Sequence, residues 1–168
     1  MTAETTARTL QPNSRHCFVC GVENPVSLGL RFYETGPDEV TAGYTVPDQY
    51  QGYPGMVHGG VVAAMLDEVV GRAAMAGDPN RFMFTGRLCL TYRKPVPLGQ
   101  PLRMVGRLVR RRGRAARATG ELRLPDGTLA VEATATLIDV PGHTASQEEL
   151  EALGWKVYPQ GESSSAGE

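Results

Sequence analysis

A histidine followed by two glycines, His58-Gly59-Gly60, stands directly before the apolar run Val61-Val62-Ala63-Ala64-Met65-Leu66, which leads into the carboxylate Asp67. The spacing predicts a helix that begins at the glycines. The first backbone N–H groups of a helix lack partners within it and sit at the positive end of its dipole. They can therefore hold an oxygen on which negative charge develops. At about 100° per residue, Asp67 lies roughly 20° from the azimuth of Gly60 and two turns further along, while Glu68 points to a different face. Met65, Leu66, Val69 and Val70 surround Asp67 in the sequence, and they would desolvate its carboxylate and strengthen it as a base or a nucleophile. The alternative is a carboxylate that caps a loop or pairs with Arg72, and the preceding glycines weigh against it.

The 168 residues suit one compact domain. Seventeen Lys and Arg against eighteen Asp and Glu give a net charge of -1. Bulk charge thus argues against a nucleic-acid partner and against a membrane-surface partner. The sequence contains no apolar stretch of membrane-spanning length, and its first residues lack the charged-then-apolar order of a secretory signal. Three cysteines beside an adequate core fit a reducing compartment, so the expected location is the cytoplasm.

The polar residues 1–14 and the tail from about Pro159 are expected to be flexible and outside the core. Between them, Leu28 to Glu34 and Glu39 to Val46 predict a hairpin turning at Gly36-Pro37-Asp38. Gly60 to about Ala76 carries apolar residues on almost every side, which predicts a helix buried all round, stopped by Gly77-Asp78-Pro79-Asn80. Four strands are expected next, over Phe82–Tyr92, Pro101–Arg112, Arg114–Leu124 and Leu129–Val140, the last after a turn at Pro125-Asp126-Gly127-Thr128. Ser146-Gln147-Glu148-Glu149 has capping-box form and predicts a short helix reaching Leu153. The expected class is α+β, one central helix with a long antiparallel sheet around it, over residues 15–142, with 143–168 as a short helix and tail.

These residues resemble the hotdog-fold acyl-CoA thioesterases, in particular the group of the phenylacetic-acid-pathway thioesterases and the thioesterase superfamily members. The matching elements are His58-Gly59-Gly60, Asp67, Phe84-Thr85-Gly86-Arg87-Leu88 and Tyr92-Arg93-Lys94-Pro95-Val96-Pro97-Leu98-Gly99, and the likeness covers roughly residues 17–140. It implies a curved sheet wrapped around the helix and a homodimer or a dimer of dimers, with active sites at the subunit interface. By the same likeness the Gly59 N–H polarises a thioester carbonyl. Asp67 acts as nucleophile or general base, His58 supports the carbonyl-binding geometry, and Thr85 orients the water or the carboxylate. Gly60 belongs to the same carbonyl-binding mouth. Gly59 and Asp67 are separated by about 12 Å along a helix, yet both must come within roughly 3.5 Å of one carbonyl group, so one subunit can hardly supply both. An obligate dimer is predicted for activity. Some relatives carry an asparagine six residues before the histidine as a second carbonyl donor; that position here is Gly52, so either Gln51 or a water would take its place.

Other signals are weaker. Cys17-Phe18-Val19-Cys20 could ligate zinc or cycle through a disulfide. Only two of the four ligands zinc needs are evident, with His16 as a further candidate, and a tight turn ahead of Asn24-Pro25 is the alternative. Arg110-Arg111-Arg112-Gly113-Arg114 with Arg117 falls at an expected hairpin turn and lacks the interleaved aromatics of a nucleic-acid surface. Arg93 and Lys94, or that turn, would hold the phosphates of coenzyme A. His143 is expected in a loop. The leading function is hydrolysis of an acyl-CoA or acyl-carrier-protein thioester without metal or cofactor. A non-catalytic acyl-thioester binding module and a hotdog dehydratase or hydratase are the alternatives.

Overall fold

The computed structural model describes residues 8–143 and 145–159. The flexible ends expected at residues 1–7 and 160–168 lie outside the described residues. Seven strands, β1 (Thr9–Leu10), β2 (Tyr33–Gly36), β3 (Glu39–Thr45), β4 (Met83–Tyr92), β5 (Pro101–Arg112), β6 (Ala115–Arg123) and β7 (Leu129–Asp139), form one curved antiparallel sheet ordered β1-β2-β3-β5-β6-β7-β4. One long helix, α1 (Gly59–Ala74), crosses it, and a short helix, α2 (Gln147–Ala152), carries the predicted capping box at Ser146 and Glu149. This is the hotdog arrangement. Among the described residues no helix is long and apolar enough to cross a membrane.

The helix seats on the sheet because both surfaces are shaped for it. Val62, Met65, Leu66, Val69, Val70, Ala73 and Ala74 of α1 are buried, and so are Met104, Ala116, Ala118, Leu122, Ala133, Ala135 and Leu137 on the facing strands. Burying the larger of these side chains stabilises the fold by about 1.5–3 kcal/mol each. Two small positions set the helix–sheet distance. A Cβ on Gly106 would lie 2.3 Å from the Val69 carbonyl oxygen, and one on Gly120 would lie 3.0 Å from Val70 Cγ1.

Three expectations change. The helix is not buried all round: Val61, Ala63, Ala64, Asp67, Glu68 and Gly71 are only half-buried, because the sheet covers one side of α1 and β4 ends it as an edge strand. The predicted strand at Leu28 shortens to Tyr33–Gly36. Leu28 and Leu30 instead donate to the carbonyl oxygens of Phe18 and Val19 at 2.9 Å, so that stretch pairs with the Cys17–Cys20 turn. Part of the N-terminal segment expected to be loose belongs to the body of the protein. Thr9 and Leu10 pair with Glu34 and Tyr33, and Gln11 and Asn13 are buried.

Candidate active site

The mouth of α1 is built by a small closed loop. Gln51 Oε1 accepts the Gly55 N–H at 3.0 Å, Val57 donates to the Val96 carbonyl at 2.9 Å, and His58 donates to the Tyr50 carbonyl at 2.9 Å. His58 is the N-cap: its Nδ1 accepts the Gly60 N–H at 3.0 Å, which places its ring proton on Nε2. The His58 carbonyl accepts from Val61 and Val62 at 2.9 and 3.1 Å. The one N–H at this mouth without a partner among the described residues is therefore that of Gly59. A Cβ on Gly60 would come within 3.1 Å of His58 Nδ1, so glycine there makes room for the cap. A Cβ on Gly59 meets nothing nearer than 3.8 Å, so packing within the chain does not demand glycine at 59; close approach of another group to its backbone would.

Gly59 faces a cleft of about 660 Å³ lined by Gln51, Gly52, Tyr53, His58, Val62, Tyr92, Arg93 and Lys94. Sequence reasoning did not assign Tyr92 a role. Its hydroxyl donates to the Gly59 carbonyl oxygen at 2.6 Å, tying the end of β4 to the helix mouth, and partial burial raises its phenol pKa. Its position in the Tyr92-Arg93-Lys94-Pro95 run was the available signal. Arg93 is paired with Glu132 at 2.6 Å, whereas Lys94 has no acid partner among the described residues. The arginine cluster lies elsewhere: Arg110, Arg112 and Arg117 line a separate groove with Arg87.

Asp67 is not among the residues lining that cleft. It is half-buried, and its Oδ1 accepts the Thr85 hydroxyl at 2.7 Å. A bulge makes this contact. Thr85 pairs with Leu137 and Arg87 with Thr136, leaving Gly86 as an extra residue, so Thr85 turns toward α1 while Arg87 turns away. The chain thus assembles two half-sites. One holds His58, Gly59, Gln51, Arg93 and Lys94; the other holds Asp67 and Thr85, about 12 Å further along α1.

The adjacent acid has another fate. Glu68 Oε1 accepts from Arg72 Nε at 2.9 Å, and Arg72, only 1% exposed, also donates to the Pro12 carbonyl and to Cys20 Sγ. His143 is a loop residue and packs edge-on against Phe82.

Residues 54–131, from the helix mouth into β7, match the thioesterase superfamily profile. Acyl-coenzyme A thioesterase THEM4 of Mus musculus is 34% identical over 89 residues, 52% of this chain and 37% of that protein. A thioesterase superfamily protein of known crystal structure is 34% identical with a TM-score of 0.69, over 74% of this chain and 61% of the other. The chain therefore spans less than two thirds of the length of these two relatives. A phenylacetic acid degradation-related protein of Ralstonia eutropha JMP134 is 31% identical with a TM-score of 0.60, over 66% of this chain and 85% of that one. Because that relative is matched over most of its length and the profile lies on the segment that builds both half-sites, the chain belongs to the thioesterase superfamily.

Proposed function

We propose that the protein hydrolyses acyl-CoA thioesters, with each active site made from two copies of the chain. The observation that carries this reading is the Gly59 N–H at a helix start, without a partner among the described residues and open to a cleft that Lys94 also lines. A carbonyl oxygen placed on that N–H is polarised by it and by the helix dipole, and the donor strengthens its hold as the tetrahedral oxyanion develops. His58 keeps the mouth in shape through the Gly60 bond. Gln51 adds its amide as a second donor, since its Oε1 is engaged by Gly55. Lys94 and Arg93, which line the same cleft, would hold the phosphates of coenzyme A.

The reacting carboxylate is Asp67 of the partner subunit, oriented by Thr85 of that same subunit. The edge of the sheet supports this assembly. β4 is ten residues long and ends the sheet, and Phe84 and Tyr92 on it are about half exposed, a combination prone to pair with another strand. Two copies of β4 pairing antiparallel about a two-fold axis would bring the Tyr92 end of one chain beside the Thr85 end of the other. That joins the Gly59 half-site to the Asp67 half-site. Asp67 then acts as general base for water or attacks the carbonyl itself; both routes use the same atoms.

The test is thiol release from short, medium, long, branched and aromatic acyl-CoAs by the wild-type protein and by Asp67→Ala. Hydrolysis of at least one class that disappears in Asp67→Ala, with the dimer intact, supports the reading. Cleavage of none of them, or full activity in Asp67→Ala, overturns it.

A further inference from the structure

Cys17 and Cys20 lie outside both half-sites. They sit in a tight turn closed by the Gly21 N–H on the Cys17 carbonyl oxygen at 2.9 Å. A Cβ on Gly21 would lie 2.2 Å from that oxygen, so the turn requires glycine at this point. Inside the turn the N–H groups of Val19 and Cys20 both donate to Cys17 Sγ, at 3.3 and 3.4 Å. The second sulfur is in other surroundings. Cys20 is 1% exposed, and its Sγ accepts from Arg72 Nη2 at 3.0 Å. Arg72 is fixed in turn by Glu68 and by the Phe32 and Trp155 rings, 4.8 and 4.9 Å from its guanidinium carbon.

The two thiols are therefore unequal. Cys17 is half-buried and ringed by backbone donors that favour its thiolate, whereas Cys20 is buried out of reach of a solution disulfide. The hydrogen bond from Cys20, with the backbone N–H groups, holds the Cys17 thiol down to about 6 against burial and the Glu68 charge, while the same bond, burial and Glu68 push Cys20 up against the pull of Arg72. Both sulfurs lie within 4.8 Å of each other and of a Glu68 carboxylate oxygen. Side-chain rotation within the turn can close such a gap to the disulfide length of about 2.05 Å.

We propose that Cys17 and Cys20 form a thiol–disulfide exchange site, with Cys17 as the attacking sulfur and Cys20 as the resolving one, that reduces small-molecule disulfides. The Cys17 thiolate attacks one sulfur of a disulfide RS–SR; the S–S bond breaks and RS⁻ leaves with its electron pair. Cys20 then gives its proton to that thiolate and attacks Cys17 Sγ. The mixed disulfide breaks, a second RS⁻ departs, and the Cys17–Cys20 bond forms. The chain loses two electrons and the disulfide gains them. Closure removes the thiolate charge and leaves the neutral Glu68–Arg72 pair in the cluster. A structural zinc fits these surroundings less well: it needs four ligands, three are grouped among the described residues, and Cys20 and Glu68 are already bonded to a buried guanidinium.

The experiment treats reduced full-length protein with oxidised glutathione and maps its cysteine peptides by mass spectrometry. The wild type should end with a Cys17–Cys20 disulfide, two hydrogens lost and two equivalents of glutathione released. Cys20→Ser should retain one glutathione on Cys17, and Cys17→Ser should carry none at position 17 or on Cys20. Adduct on Cys89, which lies on the β4 edge, is mapped separately and does not count toward the pair. A wild-type adduct that stays on Cys17, adduct at Cys89 alone, or one equivalent of zinc shielding both cysteines from alkylation overturns the proposal. Should either serine variant fail to fold, the wild type equilibrated in graded glutathione buffers decides: a single two-electron transition at this pair supports the site, and its absence overturns it.

Discussion

Asp67 and Glu68 are neighbours on one turn of α1, both half-buried carboxylates, and their partners differ in kind. Glu68 is bonded to Arg72, a buried cation that also holds the Pro12 carbonyl and Cys20, so its charge is neutralised in a network linking α1 to the N-terminal segment. Asp67 has one partner among the described residues, the neutral hydroxyl of Thr85, which orients one oxygen and leaves the negative charge uncompensated. A rotation of about 100° separates an acid paired with a buried cation from one held only by a hydroxyl. Composition of the flanking residues does not distinguish them; the guanidinium on one side and the hydroxyl on the other do.

The contrast is broken most readily at Asp67. Asp67→Asn should lower thioester hydrolysis by about 10²–10⁴-fold with little change in the urea midpoint, whereas Glu68→Gln should leave hydrolysis within about tenfold. Equal losses in the two variants would erase the distinction. On the structural side, Arg72→Met should destabilise the fold by about 3 kcal/mol, read from urea unfolding, because it removes the cation of a buried network. Thr85→Val keeps the shape and deletes the hydroxyl, so kcat should fall by a factor corresponding to about 2 kcal/mol, again at nearly constant stability. Tyr92→Phe releases the Gly59 carbonyl and should cost about 1 kcal/mol in kcat/KM, visible as a several-fold loss. The smallest effect is a shifted midpoint. Alkylation of Cys17 should slow only as pH falls through about 6, where an ordinary thiol would already have slowed below 9.0.

Much of the helix mouth and of the strands after it was legible because the signals are local. His58, Gly59 and Gly60 announce a helix start through residue type alone, the 3.6-residue period fixes where Asp67 points, and the turns at Gly113 and Gly127 lie where the strand pattern breaks. What the sequence did not reveal depends on contacts across long separations. The Tyr92 bond to Gly59 and the burial of Arg72 between Phe32 and Trp155 each require the folded arrangement. The apolar pattern of α1 also overstates its burial. A helix apolar on nearly every side predicts full enclosure, whereas here one flank remains half-exposed beside the β4 edge.

Mixed dimers test most directly whether the two half-sites come from different chains. Gly59→Pro deletes the unpartnered N–H at the first helical residue, a position that tolerates proline, and His58 already has the extended ψ of 132° that a following proline requires. Asp67→Asn deletes the acid. Each variant alone should be inactive, and subunit exchange between them should restore hydrolysis, because one site in each mixed dimer regains an intact Gly59 and an intact Asp67. If the mixture stays as inactive as its components while mixed dimers are shown to form, both groups act within one chain and the shared-site account is wrong.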